Sequence, residues 1–476
     1  MAERVTAIVL AAGAGRRFGG GKLLARLDGR PILQHVLDAL AVAGIDDPVV
    51  VLGADADALA PAIQWRRARR VDNPDPERGL AGSLRLGWGA AMATLAEPAP
   101  AAALVVLGDQ PRLDPAVVRA LAAEPTDPRR PVVVARHADG SRNPVRLEPE
   151  AAPLVAAATG DRGLGPAIDG HPELTRVIEV GGGNPDVDTP ADLVEILAAD
   201  WARRVRDNAA QVDRFRETPD GRDFYATVSR TFVADPSRDG DLVLEALLGL
   251  ARPDDTWLDI GAGAGRYALP LARRVRRVVA IDPSGSMLDA LREGMAAHGI
   301  ANIGTVEGRW PPDDAVRAAL GPDPLADVVF IAHVSYDIAE ILPFVDAMEA
   351  AARRICVAVL MERNPASVAA PFWPHVHGEE RVPLPALPQL VELLGARRAR
   401  PHVTRITGER RRWADLDELL ANLRRQLWTA PGSAADGRLL AAVGDLAVVD
   451  PDGSVSVAGT PPLDIGVVVW GSIDSR

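Results

Sequence analysis

Several residue types that build common kinds of site are scarce in this sequence of 476 residues. The single cysteine, Cys356, excludes an intrachain disulfide and any zinc or iron–sulfur site made of cysteine ligands. This cysteine usage fits a reducing compartment, and we expect a cytoplasmic protein. The sequence has no run of about 20 apolar residues, so we expect no membrane-spanning helix. Because 65 Asp and Glu outnumber 53 Lys and Arg, the formal net charge is −12, which argues against nucleic acid as a partner.

Lysine is nearly absent as well. Lys22 is the only lysine of the chain, and arginine supplies every other basic side chain. Arginine therefore serves wherever either cation would do, but the two are not equivalent where a compact ammonium must lie against phosphate oxygens. Lys22 ends the glycine-rich segment at residues 13–22, which makes it a candidate for such a position.

The remaining composition is that of a globular protein, with 47% hydrophobic and 25% charged residues. Strand-like apolar runs alternate with amphipathic helical patterns over residues 1–199, and a second alternating series begins after residue 208. Alternation of this kind predicts βαβ units around a mostly parallel sheet. We therefore expect two doubly wound, three-layer α/β/α domains in series, at residues 1–199 and 208–476, joined by a helical linker at residues 200–207.

The first chemical motif is the glycine-rich loop that follows the opening strand. Glycines let the backbone approach a ligand closely and turn its N–H groups toward an oxyanion. Arg17 and Lys22 would add the fixed positive charge that a triphosphate requires. The segment is not a Walker A loop, because Leu23 follows Lys22 where a hydroxyl would have to bind magnesium. A glycine turn beside a surface cation is the structural alternative.

Two aspartates stand where ligands commonly bind in open α/β sheets. Asp109 comes directly after the apolar run AALVVLG, and Asp188 precedes the Thr-Pro pair that starts the last helix of the first domain. Carboxylate oxygens beside a triphosphate suit Mg²⁺, which keeps several waters and takes few protein ligands. Each aspartate alone is as well explained by a helix cap or a loop. Together with the glycine loop, they predict a site for a metal and a nucleotide.

Residues 4–199 resemble the MobA-like nucleotidyltransferases, and within them the molybdenum cofactor cytidylyltransferase branch. The motifs that carry the resemblance are LAAGAGRRFGGGK, GRPILQHVLDAL, GDQP and DVDTPADL. It implies an NTP bound over the loop, with Arg17 and Lys22 on the β- and γ-phosphates. It also implies Mg²⁺ held by Asp109 and Asp188, and molybdopterin as the acceptor. Molybdoenzymes or their maturation factors are the partners that such a reaction implies.

The same resemblance places the base of the nucleotide. Alanine at position 12 and the GDQP spelling go with CTP in this family. The residues expected to border the base are the backbone of Ala11, Ala12 and Gly13 and a turn at Gly82 and Ser83.

The acceptor-side segments depart from the family pattern. Residues 142–147 read RNPVRL where the family has GHPVLF, and residues 160–165 read GDRGLG where it has GDxGAR. These changes leave the nucleotide chemistry untouched but do not fix the identity of the acceptor. A sugar phosphate or another phosphorylated alcohol stays open as an alternative.

A different glycine motif follows the first strand of the second domain. Residues 255–266 read DTWLDIGAGAGR, with Asp259 just before three alternating glycines. A dinucleotide fingerprint would need GxGxxG, and the carboxylate of Asp259 would repel a diphosphate. A cationic ligand without phosphate suits that carboxylate better. The next strand ends in Asp282, which is well placed to accept both hydroxyls of a ribose.

These features resemble the class I S-adenosylmethionine-dependent methyltransferases over residues 208–476. LDIGAGAGR matches their first motif and VVAIDPSGSML their second. The resemblance implies that Asp282 holds the ribose and that Met287 packs near the adenine. The methionine pocket would be shaped by Gly261, Gly263 and Gly265. The terminal pair of segments DLAVVDPDGSVSVAG and DIGVVVW is interpreted as the sixth and seventh strands of that fold, with the seventh antiparallel.

Weaker signals bear on catalysis by the second domain. Relatives often place an acid after the third strand to accept the adenine amino group, whereas this chain has Arg309, which cannot accept a hydrogen bond. Trp310 is the candidate to stack on the adenine instead. His333 follows the fourth strand and is the candidate general base, with a purely structural histidine as the alternative.

The motifs together predict a bifunctional enzyme. It would transfer a nucleotidyl group from an NTP to a phosphorylated acceptor and a methyl group from S-adenosylmethionine to an unidentified acceptor. Mg²⁺ and S-adenosylmethionine are the expected cofactors, and neither nucleic acid nor a membrane is an expected partner. One alternative makes the second domain a non-catalytic module that binds S-adenosylmethionine or a partner protein. Another makes the first domain a nucleotide-sugar synthase.

Overall fold

The computed structural model describes residues 4–93, 100–217, 233–322 and 325–471. Its first unit is built on a seven-stranded sheet, counted over the described residues, with α-helices packed against it. The strands of this unit are β1 (Val5–Ala11), β2 (Arg26–Leu27), β3 (Arg30–Pro31), β4 (Val49–Leu52), β5 (Arg69–Asp72), β6 (Ala102–Leu107), β7 (Val132–Arg136), β8 (Val145–Leu147) and β9 (Thr175–Glu179), of which β2 and β3 form a separate two-stranded sheet. Its α-helices are α1 (Ile32–Val42), α2 (Ala56–Leu59), α3 (Leu80–Met92), α4 (Pro115–Ala123), α5 (Ala152–Ala157) and α6 (Gly165–Gly170).

The order of the strands in this sheet is β5-β4-β1-β6-β8-β7-β9. Strand β8 is antiparallel to β6 and β7, and the remaining pairs are parallel. The central strands β1, β4 and β6 are almost continuously buried, which explains why they are apolar runs without alternation. The chain passes from β1 to β4 on one side, while β6 pairs with the other side of β1. A crevice therefore opens where β1 and β6 end, the usual ligand position in such sheets.

A long helix, α7 (Pro190–Phe215), links the two units. The chain divides into the compact units Met1–Leu193 and Val194–Arg476, so the division lies inside this helix. Residues 200–207, interpreted above as a helical linker, lie in its middle.

The second unit has its own seven-stranded sheet within the described residues, in the order β12-β11-β10-β13-β14-β18-β15. Its strands are β10 (Thr256–Ile260), β11 (Arg277–Asp282), β12 (Ile303–Glu307), β13 (Ala326–Ala332), β14 (Ala352–Met361), β15 (His402–Ile406), β16 (Ala447–Val449), β17 (Val455–Val457) and β18 (Ile465–Gly471). Its α-helices are α8 (Leu242–Leu250), α9 (Ala268–Ala272), α10 (Gly285–His298), α11 (Asp314–Leu320), α12 (Ile341–Ala351), α13 (Trp373–His377), α14 (Leu387–Ala396), α15 (Leu416–Leu427) and α16 (Ala434–Leu446). The five neighbouring strands β12, β11, β10, β13 and β14 are parallel to one another, and β18 is antiparallel to both β14 and β15. The two α/β units in series confirm the predicted fold class.

One strand assignment is wrong. The segment interpreted as the sixth strand instead forms a separate two-stranded sheet, β16-β17, whereas β18 is antiparallel in the main sheet as expected. A turn that contains Asp452 and Gly453 connects β16 to β17. Val455 of β17 pairs with Trp413, and both belong to an apolar cluster separate from the core of the main sheet. The last strand of the main sheet is β15, HVTRI, a largely exposed edge strand whose polar residues give little strand signal.

Among the helices of the described residues, none is both long enough and apolar enough to cross a bilayer.

Candidate functional site

The glycine loop of the first unit is folded onto its own backbone. The N–H groups of Phe18, Gly19 and Gly20 donate to the carbonyl oxygen of Gly15 at 3.0, 3.1 and 3.1 Å. Gly19 and Gly20 have φ values of +94° and +92°, a region that side chains disfavour, so this turn requires glycine. These three N–H groups are therefore engaged within the loop, and these hydrogen bonds hold the loop in a defined conformation.

Lys22 follows the loop and joins both predicted metal-binding aspartates. Its Nζ lies 2.5 Å from Oδ2 of Asp109 and 3.3 Å from Oδ1 of Asp188. Arg17 donates to the other oxygen of Asp188 at 2.8 Å. Lys22 is 8% exposed, and although burial lowers its pKa, the charges of the two aspartates raise the pKa overall. The structure thus brings together Arg17, Lys22, Asp109 and Asp188, which lie far apart in sequence.

The oxygen atoms of this cluster fit a divalent cation. Oδ1 of Asp109 is buried without a hydrogen-bond partner, and the oxygens that contact Lys22 converge on one cation. In the described ranges no group of three or more His, Cys, Asp or Glu side chains is arranged to hold a metal alone. Two carboxylates with open positions match Mg²⁺, which completes its octahedron with waters and phosphate oxygens.

A third carboxylate, Asp186, belongs to the same cluster and was not among the predicted site residues. Gln110 donates to its Oδ1 at 2.7 Å. Desolvation and the charge of Asp109 raise the pKa of Asp186 above its ordinary value. A signal was present in the sequence, because Asp186 stands only two residues before Asp188 in the motif DVDTPADL.

Backbone contacts fix the second half of the cluster. The N–H groups of Asp188 and Thr189 donate to Oδ2 of Asp192 at 2.8 and 2.6 Å, at the start of α7. These bonds help to lower the pKa of Asp192. Val187 donates to the carbonyl of Asp109 at 3.0 Å, which ties the two aspartate-bearing segments together.

The predicted base-binding side needs one correction. Gly82 and Ser83 do not form a turn but lie in the first turn of α3. Ser83 is 4% exposed, and its hydroxyl accepts a hydrogen bond from Asn73 at 3.0 Å. The hydroxyl of Ser83 is therefore used in a buried hydrogen bond and does not face an open surface.

Ala11 and Ala12 are buried at the end of β1, and the exposed Gly13 has no atom within 4 Å of its ideal Cβ position. Their part in binding a base stays a prediction.

In the second unit, Asp282 ties the end of β11 to the glycine loop after β10. Its Oδ2 accepts from the N–H of Gly263, and its Oδ1 accepts from the N–H of Ser284, both at 2.8 Å. Asp282 is 7% exposed. A carboxylate held in this way at the end of β11 is a hydrogen-bond acceptor, which fits the predicted role toward the hydroxyls of a ribose.

The three glycines of this loop play different parts. All have positive φ, but a Cβ on Gly261 would come within 2.4 Å of Val334, and one on Gly265 within 2.3 Å of Leu291. These two glycines are required by packing. The nearest atom to a Cβ on Gly263 is the sulfur of Met287, 4.0 Å away. Gly263 and Met287 are thus the pair whose surroundings leave room for a ligand.

Asp259 is buried at the end of β10 with 2% exposure. Burial and the charge of Asp282 raise the pKa of Asp259 well above its ordinary value. A cation close to a buried carboxyl group lowers its pKa and stabilises its ionised form. The environment of Asp259 therefore favours a positively charged ligand.

The expected adenine contact is only partly accessible. Trp310 is 8% exposed, and its indole N–H donates to the carbonyl of Phe344 at 3.2 Å, while Arg309 is exposed. Glu307, at the end of β12, pairs in register with Asp282 and lies 3.4 Å from the ideal Cβ position of Gly285. An acid thus stands in the third strand after all, two residues before Arg309. Glu307 was not predicted as a site residue, because the acid of this motif is expected after the strand and not within it.

His333 lies in a strained loop after β13. Its φ is +59°, and its backbone N–H donates to Val359 at 2.8 Å. Its ring Nδ1 lies 3.5 Å from the hydroxyl of Tyr336. Burial and the charge of Arg266 lower the pKa of His333 to about 4, so the ring is neutral near pH 7. A group of this pKa is a weak proton acceptor, which disfavours strong general-base catalysis.

Two different protein families match the two parts of the chain. Residues 7–175 match the family described as the MobA-like NTP transferase domain. Residues 258–353 match the family described as the methyltransferase domain.

Three curated relatives show how far the similarity extends. The chain is 37% identical over 119 residues to bifunctional protein GlmU of Sorangium cellulosum. The match covers 23% of this chain and 24% of GlmU, so this chain spans about a quarter of the length of that protein. It is 34% identical over 165 residues to nicotine blue oxidoreductase of Paenarthrobacter nicotinovorans, covering 34% of this chain and 74% of that protein. It is 30% identical over 139 residues to a Thermococcus kodakarensis protein named "Probable molybdenum cofactor guanylyltransferase", covering 29% and 62%.

Proposed function

Since the chain belongs to the MobA-like NTP transferases through residues 7–175 and carries a methyltransferase domain at residues 258–353, we propose that it is a bifunctional transferase. The first unit would transfer a nucleotidyl group from CTP, with Mg²⁺, to a phosphorylated acceptor of the molybdopterin type. The second would transfer a methyl group from S-adenosylmethionine to an acceptor of its own.

The cluster of Lys22, Asp109 and Asp188 carries the first half of this proposal. A buried ammonium between two carboxylates, beside a preformed glycine loop, supplies both signs of charge that a metal–triphosphate complex needs. Arg17 is exposed and can turn from Asp188 to the phosphates. Mg²⁺ bound to the aspartates would neutralise the phosphate charge.

The proposed reaction needs no nucleophile from the protein. An oxygen of the acceptor's phosphate attacks the α-phosphorus of the NTP and forms a new P–O bond. The bond from the α-phosphorus to the bridging oxygen breaks, and pyrophosphate leaves with the electron pair. Lys22 and Arg17 stabilise the charge that develops on the leaving group, and the loop positions the chain of phosphates.

The choice of CTP and of a molybdopterin-type acceptor is supported by family features. Alanine at position 12 and the GDQP segment favour CTP. One of the relatives is named for guanylyl transfer to molybdenum cofactor, and another is named for a redox activity. The names of relatives therefore differ in both nucleotide and reaction, and the choice must be made by experiment.

The deciding experiment measures pyrophosphate release from each of the four NTPs with Mg²⁺, with and without molybdopterin. We expect release from CTP only when the acceptor is present, and loss of release in Asp109→Asn. The exposed Asp114→Asn, whose carboxylate caps α4, is the matched control. Release driven by a sugar 1-phosphate instead would favour a nucleotide-sugar synthase. No release from any NTP with molybdopterin would contradict a molybdopterin-type acceptor and would make sugar phosphates the next acceptors to test.

A second candidate for the second unit is a module that binds S-adenosylmethionine without turning it over. The low pKa of His333, about 4, favours it, because the one histidine proposed as a base is a poor one. Calorimetry with S-adenosylmethionine, compared with transfer of a labelled methyl group to cell extract, separates the two. Binding without transfer would support the module, and transfer that survives in His333→Gln would support an enzyme without this base.

A further inference from the structure

The second unit has an insert between β14 and β18 that leaves the sheet at one edge. Strand β14 ends at Met361, which pairs with Ile465 at the start of β18, and β15 ends beside them at Ile406. Residues 362–386 and 407–464, here called the insert, lie between these strand ends and contribute to one apolar cluster. Because β10, β13 and β14 are parallel neighbours, the insert joins the sheet at the edge where the glycine loop follows β10.

Arg381 is a partly buried arginine of the insert. Its Nη1 donates to the carbonyl oxygen of Ala366 at 3.1 Å and to that of Gln426 at 3.5 Å, and its Cζ lies 4.9 Å from the centre of the Trp373 ring. Burial lowers the pKa of Arg381 to about 10, and no charge of a described carboxylate raises this pKa again. A guanidinium removed from water is unfavourable without an anion beside it, and stacking on an indole compensates only part of that cost.

The last two turns of α15, next to Arg381, carry two further polar side chains. Asn422 and Arg425 stand three residues apart and are therefore neighbours on the surface of the helix. Oδ1 of Asn422 and Nε of Arg425 are both buried and have no hydrogen-bond partner among the described residues. Asn422 is only 9% exposed. Buried polar atoms of folded proteins nearly always have a partner, so these atoms indicate a bound polar group.

A third arginine, Arg411, approaches Arg425. Desolvation and the positive charge of Arg425 lower the pKa of Arg411, so two like charges lie near each other. The Cζ of Arg411 also lies 5.4 Å from the centre of the Trp413 ring. Within the described ranges, the indole N–H groups of Trp413 and Trp373 are buried without a partner. These groups and Nε of Arg425 are all donors, and the group that would satisfy them is therefore an acceptor.

The nearby carboxylates do not cancel this positive charge. Glu379 is bound to α7, where Gln211 and Arg214 donate to its Oε1 at 2.7 and 2.5 Å. Glu418 raises the pKa of Arg411, but less than desolvation and the neighbouring arginine lower it. The insert thus combines positive charge with unused donors, a combination that suits a carboxylate or a phosphate, which guanidinium groups bind through strong charge-assisted hydrogen bonds.

We propose that Arg381, Arg411 and Arg425 bind an anionic group, a carboxylate or a phosphate, of the molecule that the second unit methylates. The role given to this molecule rests on the proposed methyl transfer, but anion binding is measurable without any transfer. The insert joins the sheet at the edge that carries the glycine loop and Asp282. An acceptor held by the insert is therefore anchored at the edge where S-adenosylmethionine is expected to bind.

The test uses calorimetry of the full chain with two probes, citrate for the carboxylates and inorganic phosphate for the phosphates. We expect at least one of them to bind, and Arg381→Gln to weaken that binding at least about tenfold. Anion binding by the first unit does not depend on Arg381, so the difference from the wild type measures the insert alone. Arg412→Gln removes an exposed arginine that pairs with Asp450 and Asp452, and it should leave binding unchanged.

A second variant, Arg425→Gln, is needed because Arg381 also bonds to the backbone of the insert. It should weaken anion binding in the same direction, and circular dichroism checks that both variants are folded. Binding of neither anion by the wild type, or unchanged affinity in both variants, would overturn the proposal and assign the buried polar atoms to water alone.

Transfer of a labelled methyl group from S-adenosylmethionine to cell extract should fall at least about tenfold in both variants. Anion binding that is lost while this transfer stays unchanged would overturn the assignment to the methyl acceptor. S-adenosylmethionine is titrated in parallel and should bind equally to the wild type and both variants. Anion binding that depends on Arg381, together with no binding of S-adenosylmethionine by the wild type, would uphold the anion site and contradict the proposed methyl transfer.

Discussion

The ammonium of Lys22 lies 2.5 Å from Oδ2 of Asp109, although 87 residues separate them in sequence. The pair forms because β1 and β6 are neighbours in the sheet, so that the loop after one strand meets the residue after the other. The same ammonium reaches Asp188 at 3.3 Å. The only lysine of the chain thus occupies the point on which the carboxylates of the first unit converge.

Lys22→Arg should lower kcat/KM for nucleotidyl transfer at least about tenfold, or about 1.4 kcal/mol of transition-state stabilisation. A planar guanidinium cannot replace a compact ammonium between two carboxylates at a site that is 8% exposed. Pyrophosphate release measures the effect. Arg129→Lys is the reverse exchange at an exposed position and should be neutral. Wild-type rates in Lys22→Arg would show that the identity of this cation is immaterial.

Lys22→Met should tighten binding of Mn²⁺ in the absence of nucleotide at least about tenfold. The substitution removes a positive charge from between the carboxylates, which then attract a free cation more strongly. Electron paramagnetic resonance of free Mn²⁺ gives the affinity without any turnover. Adding Asp109→Asn to this variant should abolish the gain. Equal or weaker Mn²⁺ binding in Lys22→Met would mean that the ammonium and the metal do not compete for one position.

Asp282→Ala should weaken S-adenosylmethionine binding at least about tenfold and leave NTP turnover unchanged. The substitution removes the acceptor of the Gly263 and Ser284 N–H groups as well as the predicted contact with the ribose. Calorimetry measures the affinity, with Asp289→Ala on the exposed side of α10 as control. Loss of both activities would show that the two units do not work independently.

S-adenosylmethionine should bind more tightly as the pH rises. Asp259 has a raised pKa in the free protein, and a bound sulfonium would favour its ionised form, so binding releases a proton. Affinity then rises with pH, by at most about tenfold per unit, until Asp259 is ionised in the free protein too. Calorimetry over about pH 5.5 to 8.5 measures the slope. Asp259→Asn should flatten it, and an unchanged slope in that variant would assign the proton to another group.

Acid should destabilise the wild type more than His333→Gln. In the folded protein the pKa of His333 is about 4, below its ordinary value of 6.5, so the unfolded chain binds this proton more readily. Stability is therefore lost as the pH falls from 6.5 toward 4, by at most about 3 kcal/mol. Urea unfolding at about pH 7 and pH 4.5 compares the two proteins. Parallel losses in both would show that His333 is not the group responsible.

Local patterns were sufficient for most of the fold. The segments of β1, β6, β10 and β13 are mostly apolar, and a glycine directly follows β6 and β10, so their strand character can be predicted from the local sequence alone. Strand β15 was not predicted from the sequence, because an edge strand that is largely exposed needs few apolar residues. The segment that forms β16 and β17 was interpreted as a single strand of the main sheet, whereas a turn inside it pairs its two halves with each other in a separate sheet.

The sequence by itself determined the two α/β units, the glycine loops and the residue types at the strand ends, since these depend on interactions between near neighbours in the chain. Only the tertiary structure decided that Lys22 lies between Asp109 and Asp188, that Asp186 joins them, and that the pKa of His333 is lowered to about 4. Those properties depend on which strands become neighbours and on how deeply each side chain is removed from water. Strand order and desolvation arise from packing across the whole unit, and no short stretch of residues specifies them.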